Sequence, residues 1–270
     1  MHATVTVVYV SDLFAAAEVA WSKLRAQVQA ISSTPVDQLV FDLRGHGDSC
    51  SPPTSTVTTI EDLASDLASV VESVRTPVVL VGHSAGTMII QRFAGAQRVR
   101  FSGQVRGIVL INPAASALVC DPGLRRIVRV SQALRPLRGR GPLKVLNVAG
   151  RAVVQRRHRT FPDPCVVADV LVAAAQFQTD CSSAALLACD AVRLVAAQHD
   201  RITPPGDARL LAGWIPGARL HVVAGDSHNL PRTHPHVCAR AICEVLAGLT
   251  PVGLHGASSS SPQAERQFHE

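Results

Sequence analysis

Apolar residues along the chain form short unbroken runs that alternate with amphipathic segments. The runs at residues 4–10, 38–43, 77–81, 105–111, 191–197 and 219–224 are largely aliphatic, which is typical of strands buried on both faces. Residues 17–28, 60–74, 205–214 and 237–249 carry apolar positions at helical spacing, and another helical stripe follows residue 86. This alternation predicts an α/β fold, with a mostly parallel central sheet and helices on both of its faces.

The helix over residues 60–74 also carries a start signal. Thr58 and Glu61 have the spacing of a capping box, in which each side chain binds the backbone N–H of the other residue. We therefore expect Thr58 to cap this helix.

The alternation stops between residues 114 and 188, which are helical and loop-like in pattern and rich in Arg and Pro. We expect residues 1–113 and 189–249 to form one core, interrupted by a helical, Arg-rich insertion over residues 114–188. Ligands bind at the carboxyl ends of strands in such sheets, so the insertion is placed to act as a lid. Residues 250–270 have a serine run and no apolar periodicity, and we expect a disordered tail.

Composition favours an ordinary globular protein. Apolar residues make up 47% of the 270 residues, enough for a large core. The seven Cys include no Cys-x-x-Cys pair, which argues against both a disulfide framework and a zinc site. The start runs directly into a strand pattern, and no apolar run reaches the roughly 18 residues of a membrane span. We expect a soluble, cytoplasmic protein.

The formal charge of +6 is concentrated in the predicted insertion. Residues 123–162 contain ten Arg and one Lys and no acidic residue, so this stretch carries +11 and the rest of the chain about −5. A solvated lid surface is one interpretation, and attraction of an anionic substrate or lipid is another. Nucleic acid is a poorer partner, because the stretch has a single aromatic residue, Phe161, on which a base could stack.

A sharp turn between a strand and a helix carries the first chemical motif. The apolar run 77–81 leads into Gly82-His83-Ser84-Ala85-Gly86, and a helical stripe follows. Small residues on both sides of a Ser permit the strained turn that exposes a nucleophile above a parallel sheet. The sequence therefore predicts Ser84 as a nucleophile, and the N–H of Ala85 as a donor to the oxyanion that forms when Ser84 attacks a carbonyl.

A base and an acid follow later in the chain. His228 lies in the loop after the last predicted strand, and Asp200 follows the strand before it. Asp226 is close to His228 in sequence and is the alternative acid, but its position is less favourable than that of Asp200. The order Ser84, Asp200, His228 is the order that this architecture requires.

These motifs resemble the α/β-hydrolase fold superfamily, in the branch of small esterases, thioesterases and cofactor-free perhydrolases. The resemblance covers residues 4–249 and includes Asp42-Leu43-Arg44-Gly45-His46-Gly47-Asp48-Ser49 as well as the segments around Ser84, Asp200 and His228. It implies that Ser84 attacks a carbonyl, that His228 is general base and then acid, and that Asp200 orients His228. It implies neither a metal nor an organic cofactor.

The chain departs from the family pattern at its first strand. Ser11-Asp12 stands where the family usually has His-Gly, which leaves Leu13 as the second oxyanion donor. Asp12 therefore places a negatively charged carboxylate close to the expected oxyanion site. The family also usually has two strands ahead of this one, so the first edge strands are expected to be missing or to precede the given start. Asp12, His83 and Asn112 are candidate residues of the substrate pocket.

The sequence thus predicts a hydrolase of a small ester or thioester, whose substrate could be anionic, acting through an acyl-enzyme. A cofactor-free perhydrolase or haloperoxidase-like enzyme would use the same residues. A weakly active ligand-binding or interaction protein on the same fold is the third possibility, motivated by Asp12 and the missing edge strands. The sequence does not indicate an oligomeric state.

Overall fold

The computed structural model of the chain describes residues 5–53, 55–117, 126, 128–130, 132–133, 162–225 and 227–249. The strands in these residues are β1 (Val5–Val10), β2 (Val36–Val40), β3 (Val78–His83), β4 (Val105–Ile111), β5 (Ala191–Ala197) and β6 (Arg219–Val223). The helices used below are α1 (Ala17–Ile31), α2 (Ile60–Ser73), α3 (Ala85–Phe101), α4 (Pro164–Ala174), α5 (Cys181–Ala185), α6 (Pro205–Trp214), α7 (Leu230–Thr233) and α8 (Pro235–Gly248).

The strands form one parallel sheet in the order β2-β1-β3-β4-β5-β6. The chain moves outward from β1 to β2 and then crosses to β3 on the other side of β1. Such a reversal opens a crevice at the carboxyl ends of the two central strands, where ligands bind in open parallel sheets. The loops after β1 and β3 therefore meet where a functional site is expected.

Alternate side chains of each strand enter two separate apolar layers. In β1, Val7 and Tyr9 pack with α1 and α8, whereas Val8 and Val10 pack with α2 and α3. All six residues of β1 and all six of β3 are buried. Helices cover both faces of these central strands, which explains their apolar sequences and confirms the predicted fold class.

The second strand ends earlier than the sequence predicts. Residues 38–43 were the expected span, whereas β2 is Val36–Val40. The carboxylate of Asp42 accepts hydrogen bonds from the backbone N–H groups of Ala17 (2.7 Å) and Asp48 (3.1 Å). These bonds hold Asp42 in a turn against the start of α1, so the backbone leaves the sheet before it.

The capping box of α2 is displaced by one residue from its predicted position. Thr59 is the cap: its Oγ1 accepts from the N–H of Asp62 (3.1 Å), and the Asp62 carboxylate accepts from the N–H of Thr59 (2.9 Å). The expected cap, Thr58, instead donates its N–H to the carboxylate of Asp169 on α4 (3.2 Å). The contact of Thr58 with Asp169, which is distant in sequence, thus explains why Thr59 and not Thr58 caps α2.

Helix α4 packs directly on the core layer that contains α2 and α3. Its residues Val166, Val170 and Leu171 are buried in that layer. Most of the Arg-rich stretch 123–162 and all of residues 250–270 lie outside the described residues. The predicted domain boundaries, lid and tail therefore stay predictions.

Within the described ranges, no helix combines the length and the apolar content that crossing a membrane requires. The same ranges contain no group of three or more His, Cys, Asp or Glu side chains arranged to hold a metal ion. Cys238 on α8 is fully buried, and burial raises the pKa of its thiol to about 12, so it is an inert packing residue.

Candidate active site

Ser84 lies at the turn between β3 and α3, with a backbone conformation that non-glycine residues rarely adopt (φ 51°, ψ −118°). Its N–H donates to the carbonyl of Ile111 (3.1 Å), which fixes the turn against β4. A Cβ on Gly86 would collide with the carbonyl of Val10, and a Cβ on Gly82 would lie 2.7 Å from Ile90 Cδ1. Close packing of the turn on the backbone of β1 therefore requires Gly86, whereas Gly82 lies against a side chain of α3.

The structure brings Ser84, His228 and Asp200 together from three separate strand ends. His228 follows β6, and its Nε2 lies 2.8 Å from Ser84 Oγ. Its Nδ1 lies 2.7 Å from Oδ2 of Asp200, which follows β5. The three side chains form a continuous hydrogen-bonded chain, although 144 residues separate Ser84 from His228.

The Asp200 carboxylate is held in its ionised form. It accepts hydrogen bonds from the backbone N–H groups of Ile202 (2.8 Å) and Thr203 (3.0 Å) and from Thr203 Oγ1 (2.9 Å). Burial alone would raise the pKa of Asp200, but the bonds from His228 and from these two N–H groups outweigh it, and the net pKa is lowered. Thr203 was not singled out from the sequence; the signal for it is the tendency of an Asp side chain to bond to the backbone N–H groups that follow it.

The backbone N–H groups of Leu13 and Ala85 make no hydrogen bond to any part of the chain that the structure describes. Ala85 is the first residue of α3, and Leu13 follows β1 in the neighbouring loop. His46 is buried, and its Nε2 lies 3.1 Å from the carbonyl oxygen of Leu13, so the Arg44–His46 loop supports the backbone just after the Leu13 N–H. The assignment of Leu13 and Ala85 to an oxyanion hole stays a prediction.

Asn112 does not have the environment of a pocket residue, contrary to expectation. Its side chain is fully buried, and its amide donates to the carbonyl of His228 (2.6 Å) while its Oδ1 accepts from the N–H of Ala197 (2.8 Å). Its backbone has a positive φ of 45°, a conformation that Asn tolerates better than most residues. Asn112 therefore lies beneath the His228 loop and anchors it to β4 and β5.

His83 is likewise enclosed and is only 3% exposed. Its Nε2 lies 2.7 Å from the carbonyl oxygen of His228, and its Nδ1 lies 3.3 Å from Oδ2 of Asp12. Because both ring nitrogens face protein oxygens, His83 has no free ring nitrogen to offer a substrate, and its place in a substrate pocket stays a prediction.

Asp12 is the candidate pocket residue that keeps some exposure, 18% of its side chain. It borders a cavity of about 110 Å³ together with Phe14, Trp21, His83 and Arg232. Burial would raise the pKa of Asp12, but hydrogen bonds with His83 and the N–H of Phe14 and the charge of His83 lower it overall. The carboxylate is therefore ionised at neutral pH. The alternative acid, Asp226, lies outside the described residues.

Comparisons with known proteins agree with this architecture. A model of the Alpha/beta hydrolase family matches residues 12–241. No match was found among curated proteins. Among solved structures, a thermophilic esterase from Thermogutta terrifontis has 22% sequence identity and a TM-score of 0.66, with 92% of this chain and 91% of that chain covered.

Two further structures have a similar fold. The enol-lactonase from Burkholderia xenovorans LB400 is 20% identical, with a TM-score of 0.66 and 92% of each chain covered. Bromoperoxidase from Bacillus anthracis is 14% identical, with a TM-score of 0.65 and 91% of this chain and 92% of that chain covered. At these identities the likeness establishes a shared fold. Since the family model also spans most of the sequence, the chain belongs to the alpha/beta hydrolase family.

Proposed function

We propose that this protein is a serine hydrolase that cleaves a carboxylic ester or thioester through an acyl-enzyme. The observation that carries the proposal is the hydrogen-bonded chain from Ser84 through His228 to Asp200, with distances of 2.8 and 2.7 Å. A Ser hydroxyl becomes a strong nucleophile when a neighbouring base can take its proton, and the base works best when a third group fixes its orientation.

In the first half of the reaction, Ser84 Oγ bonds to the substrate carbonyl carbon and its proton passes to His228 Nε2. The bond from that carbon to the alcohol or thiol then breaks, and His228 returns the proton to the leaving group. In the second half, His228 removes a proton from water, the resulting hydroxide attacks the acyl-enzyme, and Ser84 recovers its proton as the acid leaves. Asp200 stays ionised and stabilises the imidazolium that forms in each half.

The negative charge that develops on the substrate's carbonyl oxygen must be stabilised by hydrogen-bond donors. We assign this role to the N–H groups of Ala85 and Leu13, which have no hydrogen-bonding partner within the described residues. Ala85 also contributes the positive end of α3, a helix of 17 residues. Removing one such donor in other serine hydrolases costs about 100- to 1,000-fold in turnover.

Perhydrolysis is a second candidate, because a bromoperoxidase has a similar structure. Hydrogen peroxide would replace water as the attacking group, and the acyl-enzyme would release a peracid that oxidises bromide. Bromination of monochlorodimedone in the presence of acetate, peroxide and bromide separates this activity from simple hydrolysis.

The experiment is a kinetic panel of p-nitrophenyl esters and coenzyme A thioesters of increasing acyl length. We compare the wild type with Ser84→Ala and with Ser69→Ala, which removes an exposed hydroxyl from α2. Hydrolysis that persists in Ser69→Ala and falls by at least about 1,000-fold in Ser84→Ala supports the proposal. A folded wild type that hydrolyses nothing in the panel would favour a binding protein on this fold.

A further inference from the structure

His83 lies between two oxygen atoms, and both of them are hydrogen-bond acceptors. Its Nε2 is 2.7 Å from the backbone carbonyl oxygen of His228, and its Nδ1 is 3.3 Å from a carboxylate oxygen of Asp12. A neutral imidazole has one N–H, so it would direct a lone pair at one of these oxygens. A ring with a proton on both nitrogens donates to the carbonyl oxygen and places a positive charge beside the carboxylate.

A charge on the enclosed His83 ring needs an opposite charge beside it. The imidazole is 3% exposed and packs edge-on against Trp21, with ring centroids 6.4 Å apart. A buried charge is tolerated when an opposite charge faces it, and Asp12 provides that charge. The other oxygen of Asp12 accepts the N–H of Phe14 (3.1 Å), so the carboxylate is fixed in place by the loop after β1.

The other partner of His83 is the backbone of the proposed catalytic base. The carbonyl oxygen of His228 accepts from His83 Nε2 and from the Asn112 amide (2.6 Å). Two donors from the ends of β3 and β4 therefore use both lone pairs of this carbonyl. Such bonds to the backbone limit the movement of the loop that presents the His228 ring to Ser84.

We propose that Asp12 and His83 form an ion pair that positions His228, in which His83 donates its Nε2 proton to the His228 carbonyl and holds its Nδ1 proton beside the Asp12 carboxylate. The inference rests on the proposed function, in which His228 is the general base. Neither residue touches the reacting atoms, so both are positioning residues. The pair also gives a role to the Asp12 carboxylate. A negatively charged side chain is otherwise unexpected beside the proposed oxyanion hole.

The protonation state of His83 is tested directly by NMR on protein labelled with ¹⁵N-histidine. Long-range ¹H–¹⁵N correlations at neutral pH distinguish protonated from unprotonated ring nitrogens, and the signals of His83 are those lost in His83→Gln. We expect both nitrogens of His83 to be protonated in the wild type and one in Asp12→Asn, which removes the negative charge and keeps the bond to Phe14. A wild-type His83 with a single protonated nitrogen would overturn the ion pair.

The positioning role is tested by kinetics on three variants. His83→Leu removes the donor to His228 and is expected to lower kcat by about tenfold, with KM changed by less than about twofold. In His83→Gln the amide nitrogen replaces Nε2 as a donor, and we expect kcat within about threefold of the wild type. His221→Leu is the matched control, because His221 is exposed on the edge strand β6, and its kinetics should equal those of the wild type.

Equal kcat values for His83→Leu and the wild type, or equal losses in the Leu and Gln variants, would contradict positioning through the His228 carbonyl. If His83→Leu does not fold, the NMR measurement still decides whether the ion pair exists. A wild type without hydrolytic activity would refute the proposed function, whereas the protonation state of His83 would remain measurable.

Discussion

Gly86→Ala tests how tightly the turn at Ser84 is packed. Gly86 lies in the first turn of α3, and the added methyl would collide with the backbone carbonyl of Val10 in β1, far inside the 3.4 Å of ordinary van der Waals contact. Backbone atoms cannot rotate away as a flexible side chain can, so α3 and β1 must separate. We expect a loss of about 3 kcal/mol in the free energy of unfolding, the upper range for overpacked cores.

The matched control is Gly95→Ala on the same helix, where a new Cβ has no neighbour within 4 Å. This substitution should stabilise the protein by roughly 0.5–1 kcal/mol, because Ala has the higher helix propensity and restricts the unfolded chain. The two identical changes in α3 are thus expected to have opposite signs.

Urea denaturation of both variants measures the effect, provided that the slope m is unchanged. Separation of α3 from β1 also moves Ser84 relative to His228, and a displacement of about 1 Å can lower turnover by roughly 100-fold. A Gly86→Ala protein with wild-type stability and wild-type turnover would refute the packing argument. Equal destabilisation by Gly95→Ala would show that the helix, and not the collision, is responsible.

Three other predictions concern the residues around His228. Asp200→Asn should preserve the fold but lower kcat by about 10,000-fold in an ester assay, because the amide no longer stabilises the required tautomer and charge of His228. Asn112→Ala should cost about 2–4 kcal/mol in urea denaturation, because the buried N–H of Ala197 loses its acceptor and because Ala tolerates the positive φ of position 112 less well than Asn does; an Asn112→Ala protein with the stability of the wild type would contradict this explanation. The folded state lowers the pKa values of Asp12 and Asp200 from 3.8, so the two ionised carboxylates stabilise the fold fully above about pH 5, and this stabilisation is lost as the pH falls through their folded pKa values. The free energy of unfolding, measured from pH 6 to 2, should therefore fall less steeply in Asp12→Asn than in the wild type. Parallel curves for the two proteins would count against the lowered pKa of Asp12.

Strand and turn patterns were predictable because they depend on neighbouring residues. The unbroken aliphatic runs required strands covered on both faces, and the structure places helices there. The small residues around Ser84 likewise reflect a local turn. That turn directs Ser84 towards the carboxyl end of the sheet, so a base and an acid are expected in the loops that follow later strands.

Contacts between distant segments were not predictable in the same way. Asn112 ends a strand in the sequence, and only the fold reveals that His228 comes to lie over its amide. Thr58 and Thr59 are equivalent in sequence as helix caps, and the contact of Thr58 with Asp169, 111 residues away, separates them. His83 and Asp12 could each be noticed near the site, but their pairing depends on the adjacent ends of β3 and β1.

The central claim is that Ser84 is a nucleophile activated by His228, and its most direct test is covalent labelling with a fluorophosphonate followed by peptide mass mapping. We predict one label per chain, located on Ser84, with labelling at least about 1,000-fold slower in a folded His228→Ala variant and absent in Ser84→Ala. A folded wild type that is not labelled, or a label that persists in Ser84→Ala, would contradict the account.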